Sequence, residues 1–447
     1  MKHRFVHLSD IHFGQERNGT LTTHEDVRSQ LVRDCRECRE TFGAATGILI
    51  TGDVAFSGSP AEYARAGAWV EELAATVGCE LIDVRTIPGN HDIDRSKIDP
   101  FCKLAHESLR QAPPEGVDGI LESLLAGNAA GNPLLPKVAA YREFASRFGC
   151  DFPSVQQPCW RKEYPLGPQY RLVLLGMNSV QVCDGSDAEG RMVFGNVQYV
   201  FREEDDVAYV VLVHHPLHWF KDRADAGRYL KRSQVVMVGH EHALEVKKVV
   251  TDLGGEQLEI YAGATNPPEV GAGYPYRYNW IEFELSHQPA KAPRLRVTVR
   301  PRVWDYSRTR FAPDVARLEG KSESSFEVAC PTFRPPQPGA LAPTGTAAPS
   351  DPEVRTEMTK QERHDDRDFD RLQYFFWAFL DWHARLKGLV EIDVLPATQT
   401  QPVPQTFERL ALDAAREQGK LHALWNIVMR SVPPEKQAEN PFNEGNQ

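Results

Sequence analysis

The chain has 447 residues, 41% of them hydrophobic, enough for more than one buried core and too many for wholesale disorder. At about 150 residues per domain, its length suggests two or three domains. Asp and Glu outnumber Lys and Arg by 62 to 51, and the net charge of −11 argues against a protein built mainly to coat duplex nucleic acid, while leaving room for a local basic groove.

The first 95 residues predict alternating strands and helices. Arg4 to Leu8 reads as a strand ending in Ser9-Asp10. Val27, Leu31, Cys35, Cys38 and Phe42 recur at helical spacing over 24–42. Gly47 to Thr51 is a second strand, ending in Gly52-Asp53. Ser59-Pro60 starts a helix with an inward stripe of Tyr63, Gly67, Val70, Leu73 and Val77, and Gly78 closes it. Leu81 to Ile87 reads as a third strand, followed by Gly89-Asn90-His91-Asp92. Strand–helix–strand at this spacing implies parallel pairing with right-handed crossovers.

Residues 93–165 break the rhythm and read as a helical insertion or cap. Strands resume at 171–177, 207–213 and 234–238. Short β runs between 245 and 305, at 258–262, 279–285 and 294–300, suggest antiparallel hairpins in a second sheet. Residues 331–352 hold seven prolines and read as a linker. Beyond it lie three helical stripes: Phe369, Leu372, Phe376, Phe379 and Leu386; Phe407, Leu410 and Ala414; and Leu421, Leu424, Trp425 and Val428. The expected organisation is a catalytic domain over 1–330, a linker over 331–352 and a helical interaction domain over 353–447.

Five motifs sit where predicted strands end: Asp10-Ile11-His12, Gly52-Asp53, Gly89-Asn90-His91-Asp92, His214-His215-Pro216 and Gly239-His240-Glu241-His242. In an open α/β sheet, ligands bind at the carboxyl ends of strands. Two carboxylates, an Asn and several imidazoles aimed at one region suit two first-row metals, with a carboxylate between them able to bridge. Each motif alone is weak. D-x-H is common, G-D is often a turn, and GHEH could be a surface turn. Their joint occurrence after apolar β runs is what carries weight.

As an ordered set, D-x-H, G-D, G-N-H-D, H-H-P and G-H-x-H resemble the calcineurin-like metallophosphoesterase superfamily over about residues 1–300. Leu174 to Ser179 (LLGMNS) resembles a strand of its cyclic-nucleotide phosphodiesterase branch. The resemblance implies a two-sheet α/β/β/α sandwich. It implies one ion on Asp10, His12, Asp53 and His242, and a second on Asp53, Asn90, His214 and His240. It favours His214 over His215, a choice the sequence alone leaves open because consecutive strand residues face opposite ways. His91 would protonate the leaving oxygen while a hydroxide bridging the ions attacks in line. Asp92 would orient His91 or cap the following segment. Asn90, His91 and His215 are candidate substrate contacts. Mn²⁺ is the expected metal, with Fe, Zn or Ni as alternatives.

The implied activity is hydrolysis of a phosphodiester in a nucleotide or cyclic nucleotide. A DNA or RNA nuclease, as in the related break-repair branch, is the first alternative, and a phosphomonoesterase or protein phosphatase the next. A recruited adaptor with a degenerate metal site is a third, opposed by the full ligand set. Phe407 to Trp425 resembles the effector-associated adaptor domains of bacterial conflict systems, which implies a protein partner. Self-association is the plainer account of this tail.

Other candidates weigh less. Cys35-x-x-Cys38 falls on an apolar helix stripe and reads as core rather than as a zinc or redox site. His7 and His24 read as structural or exposed. His218 and Trp219 could line the pocket. Arg95 and Lys97 could meet a phosphate, and Tyr274, Tyr276 and Tyr278 could stack a base. No apolar run approaches the roughly 18 residues of a membrane span. With no leader pattern and eight scattered cysteines, a cytoplasmic location with reduced thiols is expected.

Overall fold

A computed structural model of the chain describes residues 1–16, 20–126, 132–152, 158–250, 255–267, 274–286, 291–318, 320–335, 360–401, 405–433 and 436–437. They fall into two units, Met1–His287 with Pro293–Phe333, and Gln288–Ala292 with Arg334–Gln447.

The first unit opens with β1 (Lys2–Leu8), α1 (Leu21–Phe42), β2 (Gly47–Ile50), α2 (Pro60–Val77) and β3 (Val84–Thr86). Ser59 and Glu62 form a reciprocal capping box at the start of α2, and Gly78 ends it in the left-handed region. The three strands pair in parallel. β3 is shorter than expected, because Leu81–Asp83 forms a 3₁₀ turn and only Val84–Thr86 finds partners on the four-residue β2.

Next come α3 (Pro100–Gln111), α4 (Val117–Leu125) and α5 (Ala139–Ser146), then β4 (Cys159–Pro165), β5 (Arg171–Met177), α6 (Asn196–Tyr199), β6 (Val207–Val213), α7 (Arg223–Leu230) and β7 (Val235–Val238). The hairpin strands follow: β8 (Leu244–Val250), β9 (Glu256–Ala262), β10 (Arg277–Ser286), β11 (Arg294–Asp305), β12 (Arg310–Pro313) and β13 (Ser324–Val328). The fold is a two-sheet α/β/β/α sandwich. One sheet runs β12-β11-β10-β1-β2-β3, with β13 on β11; the other runs β4-β5-β6-β7-β9-β8.

Two expectations shift. The hairpin strands do not make one sheet of their own. β9 pairs in parallel with β7, whereas β10 takes the free edge of β1, antiparallel, from Lys2↔Glu284 to His7↔Asn279. The region 93–165 is not helical to its end. Its last seven residues are β4, the antiparallel neighbour of β5. Leu109, Val117, Leu121 and Val138 from its helical part share a core with Val173, Leu175, Val211 and Val213 of the second sheet.

A buried polar network ties this region to the loop after β5. The Lys137 ammonium donates to Gln181 O at 2.8 Å and Cys183 O at 2.9 Å, and lies 2.8 Å from His106 Nε2. His106 Nδ1 lies 3.2 Å from Asp184, whose carboxylate also takes Arg110 at 2.7 and 2.9 Å.

Pro331–Phe333 belongs to the first unit rather than to a linker. Thr332 Oγ1 donates to Val207 O at 2.8 Å, and Phe333 packs on Tyr170. Residues 336–352 of the expected linker lie outside the described residues.

The second unit is all-α, with α8 (Lys360–Phe379), α9 (Trp382–Glu391), α10 (Gln405–Glu417) and α11 (Leu421–Met429). Phe369, Leu372, Phe376, Leu386, Leu424, Trp425 and Val428 are buried as expected. On α10 the inward face is different. Leu410 is 60% exposed, while Glu408, Leu412 and Ala415 are buried. Glu408 turns inward to meet Arg385 at 3.3 Å, and this rotates the buried stripe away from Leu410 and Ala414. Among the described residues, no helix is long and apolar enough to cross a membrane.

Burial and the nearby Lys137 charge lower the His106 pKa to about 4. The unfolded chain therefore binds a proton between about pH 6.5 and 4 that the folded chain refuses, and stability falls as pH drops through that window. His106→Gln should show a smaller drop in Tm from pH 7 to pH 5 than the parent. An identical drop in both would contradict this assignment.

Candidate metal centre

The motif residues follow the carboxyl ends of β1, β2, β3, β6 and β7, where the backbone turns sharply. Asp10, His12, Asp53, His240 and His242 all have left-handed φ values, between 51° and 66°. They are five of the eight non-glycine residues in that region among those described. This conformation is uncommon for side-chain-bearing residues and collects at functional sites. The adjacent glycines permit close approach. A Cβ on Gly89 would stand 2.6 Å from Asp53 N, and one on Gly52 (φ 97°) would lie 2.7 Å from His214 Cγ.

Around these turns the polar atoms converge. Asp53 Oδ2 lies 3.2 Å from His12 Nε2 and 3.4 Å from His214 Nε2. Asp10 Oδ1 lies 3.2 Å from His242 Nε2. Asn90 Oδ1 lies 3.1 Å from both His214 Nε2 and His240 Nδ1. Ligand-type atoms of Asp10, Asp53 and His214 lie within 4.8 Å of one another, as do those of Asp10, His12 and His242. The far ring nitrogens are held by backbone carbonyls: His214 Nδ1 by Thr51 O at 2.7 Å, and His12 Nδ1 by Asn266 O at 3.1 Å. Ligating histidines are usually held in this way.

The electrostatics favour cations. Asp10 and Asp53 are fully buried. Burial alone would raise their pKa values, yet the His242 ring holds Asp10 near 2, and His214 and His12 hold Asp53 well below the carboxylate range. His214 is pushed up to about 9: burial opposes its charge, but Asp53 and Asp10 prevail. Two buried anions thus draw on imidazolium for neutralisation. Divalent ions among the same oxygen and nitrogen atoms would satisfy that demand, and the donor set fits them.

His91 is half-buried beside this cluster. Its N–H backbone donates to Asp53 Oδ1 at 2.7 Å, and its Nδ1 lies 2.9 Å from Phe56 O. The carbonyl fixes a proton on Nδ1 and leaves Nε2 for other chemistry. Burial lowers its pKa, and the Arg95 charge adds to that effect.

Among the described residues, the Asp92 carboxylate is hydrogen-bonded neither to the His91 ring, whose Nδ1 faces Phe56 O, nor to the segment that follows it. Among the described residues, its carboxylate accepts the N–H groups of Val54, Ala55 and Gly89 and the Tyr63 hydroxyl. It knits two strand-end loops together and is itself fully buried. His215 is also fully buried. Its Nδ1 lies 2.8 Å from Ser179 Oγ, and its Nε2 has no partner among the described residues.

Of the other candidates, Cys35 and Cys38 are core, and burial pushes both thiols up. His7 and His24 are buried. His218 is turned outward toward Glu241 at 3.4 Å, whereas Trp219 stands edge-on to His240 at 4.4 Å. Tyr276 and Tyr278 are buried, which removes them as base platforms, while Tyr274 is exposed beside His242. The carbonyls of Thr51, Phe56 and Asn266 escaped sequence reading, since a main-chain oxygen has no residue signature. Ser179 followed the LLGMN run and could have been paired with His215 on that basis.

A model of the calcineurin-like phosphoesterase family matches residues 3–244, and one of the GTPase-associated adaptor domain matches 368–430. A cAMP/cGMP dual specificity phosphodiesterase of Mycobacterium tuberculosis (strain CDC 1551 / Oshkosh) is 32% identical over 131 residues, 28% of this chain and 39% of that protein. The chain therefore matches about two fifths of that relative's length. Among solved structures, a purple acid phosphatase from yellow lupin (Lupinus luteus) seeds has a TM-score of 0.38 at 10% identity, covering 73% of this chain and 53% of its own. The sulfate thiohydrolase of Thermus thermophilus has a TM-score of 0.30 at 14% identity, covering 70% and 57%. The phosphoesterase match spans more than half of the sequence and contains all five motif turns, so the chain belongs to the calcineurin-like phosphoesterase family, whose members hydrolyse phosphoesters at a binuclear divalent metal centre.

Proposed function

We propose that the chain is a two-metal phosphodiesterase acting on a nucleotide or cyclic nucleotide. The observation that carries this reading is the single oxygen, Asp53 Oδ2, lying between His12 and His214, the position a bridging ligand needs. Asp10, His12, Asp53 and His242 would hold one ion, and Asp53, Asn90, His214 and His240 the other. Mn²⁺ is the expected occupant, with Fe, Zn or Ni able to use the same donors. Bound there, such ions supply charge to clamp a phosphoryl group and to activate water.

The chain's own residues do the rest. Asn90 contributes a neutral carbonyl oxygen, which limits negative charge facing an anionic substrate. His91, anchored through Nδ1, presents Nε2 to give a proton to the leaving oxygen. Asp92 acts by holding the loops that carry Asp53 and His91. The identity to a cyclic-nucleotide enzyme supports the substrate class, and exposed Tyr274 offers a face to a base. We propose further that the catalytic domain ends near Phe333 and that the following segment links it to a protein-interaction module. The adaptor-domain match supports a partner of GTPase-associated type.

The first measurement is turnover with Mn²⁺ on a bis-ester, a mono-ester, cyclic nucleotides, and DNA and RNA. Cleavage of the mono-ester alone would reject the diesterase reading. Asp53→Ala should abolish turnover and lower bound metal, by elemental analysis, whereas His91→Ala should lose about 10²–10⁴-fold in kcat and keep its metal. Metal loss in His91→Ala would remove its role as proton donor. Deleting 353–447 should leave small-substrate turnover within about twofold, as expected of a change remote from the site; a collapse would make the tail part of the active enzyme.

A further inference from the structure

Arg95 stands four residues after His91, in a 3₁₀ turn over Arg95–Lys97. Asp94 fixes that turn by accepting from the Ser96 N–H at 3.0 Å and the Ser96 hydroxyl at 2.6 Å, and its own N–H donates to Lys137 O at 2.7 Å. The Arg95 side chain crosses to the loop after β5. A Cβ on Gly185 (φ 97°) would lie 3.3 Å from both Cζ and Nε of Arg95, so glycine leaves room for the guanidinium against the backbone.

The carboxylates of that loop are committed elsewhere. Asp184 takes Arg110 and Ser186, and Asp187 faces Arg110 at 3.7 Å. Arg95 is exposed, and among the described residues its guanidinium has neither an ion-pair nor a hydrogen-bond partner. An exposed cation that lies over Gly185, and whose charge acts on the expected proton donor four residues before it, stands out in a chain of net charge −11. Guanidinium presents two parallel N–H donors that match phosphate oxygens.

We propose that Arg95 determines specificity by binding a second phosphate of the substrate, on the leaving-group side of the scissile bond. This rests on the phosphodiesterase reading, with His91 at the leaving oxygen. A 3′,5′-cyclic mononucleotide carries only the scissile phosphate. A linear nucleotide chain carries another one nucleoside away. The substrate class is therefore a linear phosphodiester whose departing piece bears a phosphate.

The test uses the full chain with Mn²⁺ and two substrates, a deoxydinucleotide phosphorylated at both ends and the same dinucleotide without terminal phosphates. Arg95→Ala should lower kcat/KM on the first by about 10- to 100-fold, mostly through KM, and change the second by less than about twofold. Arg95→Lys should recover part of the loss, as a point charge without the fork. An equal effect on both substrates, or no effect, overturns the proposal. If the parent cleaves neither dinucleotide, turnover of a bis-ester or a cyclic nucleotide decides the phosphodiesterase reading separately. Arg95 is then judged by equilibrium binding of deoxyadenosine 3′,5′-bisphosphate, which should be weaker to Arg95→Ala; equal affinity overturns the assignment.

Discussion

The arrangement depends on a buried carboxylate that water cannot solvate. Asp53 has its side chain among imidazoles at the end of β2, in a left-handed turn that a side-chain-bearing residue enters at a cost. Its two oxygens do different work. Oδ1 accepts the His91 N–H and fixes the loop after β3, while Oδ2 lies between His12 and His214. An unpaired buried charge is expensive, so the surrounding chain must supply positive charge and N–H donors. The turns at Asp10, His12, His240 and His242 repeat this conformation around the same point.

Support for the turns comes from behind. Asp92 ties the loop after β2 to the loop after β3 through four donors, and the Thr51 and Asn266 carbonyls hold His214 and His12 from outside the cluster. The region 93–158 adds a further clamp. Its helices share the core of the second sheet, and Lys137 holds the Gln181 and Cys183 carbonyls. That fixes the segment bearing both Ser179, which meets His215, and Gly185, over which Arg95 lies. A region that interrupts the strand–helix rhythm thus bears on the site through its packing.

The helical unit at the C-terminus follows a separate logic. Its aromatic residues are mostly core: Phe375, Phe376, Trp377 and Trp425 are buried, so their density reflects the needs of a small bundle with few residues to fill it. The inward turn of Glu408 toward Arg385 sets the face that α10 buries.

The strand ends that carry the motifs are legible in the local sequence, because apolar runs stopping at Asp, Asn and His leave little choice of element. So is α2, where Ser59, Pro60, Glu62 and Gly78 mark both ends locally. Tertiary structure alone decided the rest. The division of the hairpin strands between two sheets depended on β1 having a free edge, and the short β3 on the four residues of β2. Neither fact is visible within the strand concerned. The role of Asp92, the burial of Tyr276 and Tyr278, and the outward turn of Leu410 likewise rest on partners distant in sequence or on the other side of a helix. Local patterns fix which element forms, but only the packed chain fixes which side chain each atom meets.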